Sequence, residues 1–521
     1  MTVEVQQGFD AIELAIFSGR LNSICDQMGE VLKKTALSPN IKDRLDFSCA
    51  FFDDHGLIVA QAAHIPVHLG SMAFAMKDIV SRFNWFDGDL VVLNDPFMGG
   101  THLPDVTIIS PLFHQYKLLG FVANRAHHAN IGSDASGSMP LTKNLSEEGV
   151  LISPCKLLSK GVINLDVQGL LASVDSSLDQ STLPGDFQAQ LSANQIGCKR
   201  LSSWLLDLED AVSYFELGLR CINRYGHEIT TGAISKLPEG RVSFIDFMDG
   251  DGFDSKQIPI KLELSVLNGD LLFDFSGTSQ QVSGNINCPE SVCAASVYYV
   301  VSSLLPSYVP HCHGVFKCIK IMSLKGSLLN ADAGAAVSAG NVETSMRIVD
   351  VVLGAFSKLG VDVPAASQGT MNNVAMGGLS GGRRWDYYET IGGGGGAGSI
   401  NNGLTASQCH MTNTLNTPIE SLELHYPIRI KEYAIRSGSG GDGFNQGGDG
   451  IKRTYEFTSG SMVTLLTERR SNSPWGLSGG GAGLSGSNWL NGRQLAAKTE
   501  FVVKENDQLL IMTPGGGGWG E

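Results

Sequence analysis

The stretch from Asp89 to His128, DLVVLNDPFMGGTHLPDVTIISPLFHQYKLLGFVANRAHH, decides how the first half of this chain folds. Asp89 to Leu93 reads as a strand leading into the bend Asn94 to Gly100. Val106 to Ile109 leads out of that bend, and Lys117 to Asn124 runs up to the pair His127 and His128. The polar residues of interest therefore sit at strand ends, where sheet hydrogen bonds give side chains a more rigid base than a free loop would. His102, Asp105 and His127 offer two imidazoles and a carboxylate with no thiolate. Such a set suits Mn²⁺, Fe²⁺ or Zn²⁺ in an open site better than a closed structural zinc site. The competing reading is local: His102 caps a turn and Asp105 accepts backbone hydrogen bonds. Pro104 biases Leu103 toward extended backbone, so an open bend or a cis-proline turn is expected between the two candidate ligands. If the last strand continues to residue 127, His127 and His128 face opposite sides and only one can reach a shared ion.

Working outward, Phe17, Leu21, Ile24, Met28 and Val31 form one apolar stripe, which predicts an N-terminal helix ending before Ser38-Pro39. A polar connector is expected over residues 173 to 187. Beyond it, Leu201, Trp204, Leu205, Leu208, Val212, Phe215 and Leu219 predict one long, buried helix. After about residue 235 the pattern changes to short strands, including Ile258 to Leu267 and Leu271 to Phe275, with a helix over Glu343 to Ser357. Glycine concentrates late, in Gly392 to Gly396, Gly438 to Gly450, Gly476 to Gly486 and Gly515 to Gly518. Trp475, Leu477, Trp489 and Trp519 lie in or beside these runs, which favours ordered tight loops over disorder. The expectation is an α+β fold of more than one lobe: residues 1–235, an N-terminal lobe carrying the metal site, and residues 236–521, a β-rich lobe with glycine-rich loops.

A formal net charge of -15 argues against nucleic acid or an anionic membrane as the main partner, since both would repel the chain. No run approaches 18 apolar residues, and the N-terminus lacks the basic start and apolar core of a signal peptide. Ten cysteines are scattered without a CxxC pair, which fits a reducing cytoplasm. His64, His68, His410 and His425 read as core or loop histidines. His311, Cys312, His313 and Cys318 match no closed zinc spacing. His227-Glu228 lacks the second histidine of a zincin helix. GxSxG matches at Gly378 to Gly382 and Gly476 to Gly480, and the GxGxxG match at Gly393 to Gly398, are what a glycine-rich chain produces by chance. No GxxxxGK[ST] phosphate cradle occurs, so ATP use requires another subunit or another fold.

Several longer motifs together carry a resemblance: Thr35 to Arg44 with Asp46-Phe47-Ser48, His64 to Met72, Asn94 to Asp105, Gln368 to Asn373, Tyr388 to Gly394, Thr412 to Thr414, Glu468 to Arg470, Pro474 to Gly476, and Pro514 to Gly518. Nearly end to end, the chain resembles the hydantoinase B and 5-oxoprolinase C-terminal family, which includes the large subunits of acetone and acetophenone carboxylases. The resemblance implies a manganese site with His102, Asp105 and His127 as ligands, and Asp43 standing where the family usually has a glutamate. It also implies a hydantoinase A-like, ATP-binding partner in a hetero-oligomer and a small cyclic amide as substrate, with His128 or Glu389 moving protons. A ketone carboxylase subunit and a non-catalytic scaffold are the alternatives. Two departures bear on the site: Asn130 replaces an aspartate of the usual motif, and Asp43 is one methylene shorter than the family glutamate.

Overall fold

The computed structural model describes residues 8–62, 65–133, 135–174 and 182–521. Helix α1 (Ala11–Thr35) opens on a capping box, with Asp10 accepting from the amides of Ile12 and Glu13 while Glu13 reaches back to Asp10. Its stripe of Phe17, Leu21, Ile24 and Met28 is buried as the periodicity requires. After the short α2 (Pro39–Lys42) come β1 (Phe47–Asp53), β2 (Ile58–Gln61), α3 (Pro66–Ser81), β3 (Leu90–Leu93), β4 (Asp105–His114), β5 (Lys117–His127), β6 (Cys155–Ser159) and β7 (Val162–Ile163). These strands make one seven-stranded sheet in the order β2-β1-β5-β4-β3-β6-β7, antiparallel throughout.

Both faces of this sheet are covered, which explains why its central strands read as near-continuous apolar runs rather than strict alternation. One face packs Cys49, Phe51 and Val122 against α1 and the helices that follow α4 (Leu165–Ala172), namely α5 (Gly185–Leu206) and α6 (Ala211–Ile234). The other packs Phe52, Ile109 and Phe121 against α3 through Leu69, Met72 and Met76. The single long helix expected around Leu201 to Leu219 is two helices. α5 stops at Leu206, and Asp210 starts α6 by accepting from the Ser213 amide. The apolar residues 201, 204, 205, 208, 212, 215 and 219 keep a helical spacing across the break, so the stripe alone does not register it. Part of the expected connector over residues 173–187 lies outside the described residues, as does His64.

Beyond residue 235, β8 (Gly240–Gly250), β9 (Lys256–Leu267) and β10 (Asp270–Asp274) form a sheet that α7 (Glu290–Ser303) and α8 (His313–Phe316) separate from its fourth strand, β11 (Ile319–Met322). Helix α9 (Ser345–Lys358), preceded by a π-turn over Gly340–Thr344, packs on this sheet. The remaining chain forms two more sheets over a shared core. One contains β12 (Asn373–Ser380) and β13 (Arg383–Glu389); after α10 (Ile419–His425), the other begins with β14 (Ile428–Arg436) and β15 (Gly450–Phe457). β16 (Ser461–Leu466) and β19 (Lys498–Val503) complete the first, and β17 (Ser487–Leu490), β18 (Arg493–Leu495) and β20 (Gln508–Met512) the second. The fold is α+β, with helices concentrated in the first half and four sheets among the described residues.

Two glycine features position the site. A Cβ on Gly70 would lie 2.6 Å from Ala295 Cα, so α3 and α7 meet backbone to backbone and tie the first sheet to the second. In the late glycine runs, a Cβ on Gly516 would lie 1.9 Å from the Gly395 carbonyl oxygen; these loops interlock through close backbone approach, with Gly516 donating to the Gly448 carbonyl. Among the described residues no helix is long and apolar enough to cross a membrane.

Candidate metal centre

The hairpin of β4 and β5 sets the geometry. Its register places Asp105 directly across from His127, at the end of the sheet nearest the Asn94 to Pro104 loop. That loop is fixed by Asn94, whose amide nitrogen donates to the carbonyls of Leu103 and Val150 while its oxygen accepts from the Ile152 amide. Gly100 is required there, since a Cβ would lie 2.5 Å from the Asn94 carbonyl oxygen. Among the described residues there is no cis peptide bond, and the bend is not open either: it is a trans-proline turn closed by the Asp105 amide donating to the His102 carbonyl at 3.1 Å, so neither conformation expected at Pro104 is adopted.

The result brings His102, Asp105 and His127 together, fully buried, with ligand atoms all within 4.8 Å of one another; among the described residues this is the one such group. Asp105 Oδ1 lies 3.1 Å from His102 Nε2 and 3.2 Å from His127 Nδ1. Its Oδ2 accepts from Thr101 Oγ1 at 2.5 Å and from Asn341 Nδ2 at 3.1 Å. His102 Nδ1 faces the Ser338 carbonyl at 3.0 Å. A carbonyl can only accept, so Nδ1 carries a proton and Nε2 is the ring atom turned to the cluster. The buried Nε2 atoms of both His102 and His127 have no hydrogen-bond partner. A buried polar atom without a partner costs about 1–3 kcal/mol, and a divalent cation would satisfy both nitrogens at once. The donor set and the vacant lone pairs fit such an ion.

Electrostatics follow from the packing. Burial would push the Asp105 carboxyl up, but the His102 and His68 imidazoles outweigh it and hold Asp105 well below the usual carboxylate range. Burial lowers His102, yet the Asp105 carboxylate outweighs burial and leaves it raised. His127 is lowered, by burial first. Asp105 is thus held ionised and His127 neutral, the states that cation binding needs of a carboxylate and an imidazole, while His102, on which Asp105 favours a proton, has to release its Nε2 proton to a cation.

Other groups close the site. His68, on the first turn of α3, places Nε2 3.2 Å from Asp105 Oδ2 and 3.8 Å from Asp46 Oδ1. The Tyr388 ring stacks on His127 at 4.9 Å and 14°. Arg44 lies 4.8 Å over the Tyr388 ring, and its Nη1 donates to the Tyr388 carbonyl at 3.0 Å. Asp46, His68, His127, Asn341 and Tyr388 border a cavity of about 20 Å³. That is room for about one water, and of the three converging ligands only His127 lines it.

Three other candidates from the sequence stand elsewhere. Asp43 ends α2, half-buried, and is absent from the group of converging ligand atoms; Asp46, three residues on, is the carboxylate of that segment that reaches the cavity. His128 does face away from His127, as strand alternation requires. Its Nε2 donates to Gln190 Oε1 at 2.9 Å and its ring packs on Phe187 of α5. Glu389 also points away, because Tyr388 next to it on β13 takes the face toward the cluster. Glu389 instead accepts from Tyr387, Tyr455, Arg453 and Asn416 in a separate buried network. Sequence reasoning misses His68, Tyr388, Asp46 and Asn341 as parts of the site. The signal that could have found His68 is Pro66 two residues earlier: proline at the first helical position puts His68 on the opening turn of a helix.

Over residues 10–521 the chain matches the hydantoinase B/oxoprolinase family. It is 39% identical over 541 residues to 5-oxoprolinase 1 of Arabidopsis thaliana, an alignment covering 98% of this chain and 42% of that protein. It is 28% identical over 547 residues to the B-type subunit of a putative D-/L-hydantoinase from a Pseudomonas strain, covering 98% of this chain and 90% of that one. The chain thus spans about two fifths of the plant relative, 42%, and nearly all of the Pseudomonas one. The crystal structure of an ATP-dependent caprolactamase from Pseudomonas jessenii superposes with a TM-score of 0.90 at 23% identity, covering 99% of this chain and 92% of that one, so the two share a fold.

Proposed function

Because the chain belongs to the hydantoinase B/oxoprolinase family, we propose that it is the metal-bearing B-type subunit of an ATP-dependent cyclic-amide hydrolase acting on a hydantoin, 5-oxoproline or a related lactam. The observation that carries this reading is the buried convergence of His102, Asp105 and His127 with two imidazole nitrogens left unpartnered. His102, Asp105 and His127 hold the cation, with Mn²⁺ favoured over Zn²⁺ or Fe²⁺ by the family resemblance. When bound, a divalent ion supplies Lewis acidity, polarising an acyl oxygen and lowering the pKa of water from 15.7 toward about 7.

The chain's own residues do the rest. Ser338 fixes the His102 tautomer, and Thr101 and Asn341 hold the Asp105 carboxylate in place. Tyr388 and Val342 shield the cavity from bulk water, and Asp46, whose carboxylate borders it, takes the proton that attacking water gives up. ATP acts through a hydantoinase A-like partner that passes the γ-phosphoryl group to the amide oxygen with release of ADP, which makes an inert carbonyl carbon electrophilic; water adds there, the C–N bond breaks as the ring nitrogen takes up a proton, and a second water frees the phosphate. A Pseudomonas relative named as one subunit supports a separate partner polypeptide, whereas the plant relative carries the matching region within one chain more than twice as long.

The test is metal analysis of the purified chain, followed by an ATP-turnover screen of the chain co-purified with its partner against hydantoin, 5-oxoproline and lactams. The expected result is one divalent ion per chain and turnover that requires one of these rings. A well-folded preparation that takes up no divalent ion would leave only a scaffold role. ATP turnover that depends on bicarbonate would assign the complex to ketone carboxylation instead.

A further inference from the structure

Between the 3₁₀ turn at Leu145–Glu147 and α9 lies a buried carboxylate that no part of the proposed chemistry uses. Glu148 is fully buried, and its Oε1 accepts from the backbone amides of Val337 and Ser338, each at 2.9 Å, and from Thr142 Oγ1 at 3.2 Å. The next amide in line, Ala339, donates to the Asn285 carbonyl at 2.9 Å. Three successive N–H groups are therefore held from outside the segment. In a trans peptide the N–H and C=O point in opposite directions. Clamping the Ala339 N–H on Asn285 thus turns the Ser338 carbonyl the other way, and that carbonyl meets His102 Nδ1 at 3.0 Å. The same segment is gripped again where Leu145 donates to the Gly334 carbonyl at 3.0 Å and where Asn285 Nδ2 donates to Ser338 Oγ at 2.9 Å.

We propose that Glu148 is a positioning residue for the metal centre: by holding the Val337 and Ser338 amides on one carboxylate oxygen it anchors the segment in which the Ala339–Asn285 hydrogen bond turns the Ser338 carbonyl toward His102, and so helps to keep the His102 Nδ1 proton on that carbonyl and Nε2 turned to the cation. Glu148 makes no hydrogen bond or ion pair to His102, Asp105 or His127; it reaches His102 through the backbone of residues 337–338 and, at longer range, through its charge. Outer groups of this kind typically alter metal affinity about 10–100-fold when lost, without abolishing the site. The inference rests on the metal site proposed above.

Two conservative variants separate aim from charge. Glu148→Gln keeps the accepting oxygen at the same reach and removes the charge. Glu148→Asp keeps the charge but withdraws the oxygen by one methylene. Mn²⁺ affinity of the metal-free chain, measured by competition with a chromophoric chelator, is expected to stay within about threefold of wild type for Glu148→Gln and to weaken about tenfold or more for Glu148→Asp. Thermal unfolding of the same metal-free samples reports packing separately, and a purely structural role would lower the midpoint while leaving Mn²⁺ affinity alone. Wild-type affinity in Glu148→Asp, or equal losses in both variants, overturns the inference while the metal site stands. If wild type itself takes up no Mn²⁺, Zn²⁺ or Fe²⁺, the metal site fails, and the positioning role falls with it.

Discussion

Two buried polar clusters in this molecule look alike by composition and differ in what they leave unsatisfied. Around Glu389, the carboxylate accepts from Tyr387, Tyr455, Arg453 and Asn416, with Arg453 also paired at 3.0 Å, so the acid's oxygens are engaged by protein donors. Around Asp105, the carboxylate is engaged as well, but the imidazoles beside it keep two Nε2 atoms without a hydrogen bond. The one polar atom of the first cluster left without a partner there is Arg453 Nη1, a donor that offers a cation nothing, so that cluster is structural. One that converges lone pairs and leaves them unsatisfied sets aside binding energy for a ligand.

That contrast breaks most visibly at His102. His102→Ala should leave the fold intact and weaken metal binding by more than the ~100-fold typical of losing an outer partner, because a donor itself is gone. Unchanged metal content by elemental analysis would remove His102 from the site. The opposite signature is expected in the other cluster. Arg453→Met strands the Glu389 charge and should cost about 3–5 kcal/mol in urea unfolding while the folded fraction keeps its metal. Loss of metal in that variant at preserved stability would erase the distinction between the two regions.

A third test uses pH. Burial pushes the Glu343 carboxyl up to about 8 from an ordinary value of 4.5. Between those values the native state holds a proton that the unfolded chain releases. Its contribution is therefore fully present below the unfolded value and is lost as pH rises through about 8. Glu343→Gln should flatten the fall in stability over that window, read as unfolding midpoint against pH; an unchanged slope would mean that Glu343 is ionised in the fold. The smallest effects belong to residues that the structure turns away from the cation. His128→Ala should lose a buried hydrogen bond to Gln190, worth about 1–3 kcal/mol, with metal affinity unchanged. Asp43→Ala should change neither, and a loss of metal affinity there would bring that carboxylate back into the site.

Much of this is legible in the chain. The strand-bend-strand pattern of Asp89 to His128 places His102, Asp105 and His127 at strand ends, and the β4–β5 register then sets Asp105 across from His127. Alternation along a strand separates His127 from His128. The same alternation along β13 separates Tyr388 from Glu389, although Glu389 offers the more familiar proton-moving chemistry. Helix ends are harder: the break between α5 and α6 depends on Asp210 capping an amide three residues on, a local contact that an apolar stripe does not encode.

The sequence by itself determined the α+β character and the placing of His102, Asp105 and His127 close to strand ends, because hydrophobic period and turn residues act over a few residues. Only the tertiary structure decided what completes the centre. His68, Ser338, Asn341 and Tyr388 come from α3, from the approach to α9 and from β13, and they reach Asp105, His102 or His127 only because separate elements pack against the first sheet. Contacts across hundreds of residues are set by which apolar faces bury one another, and no local spacing records that choice.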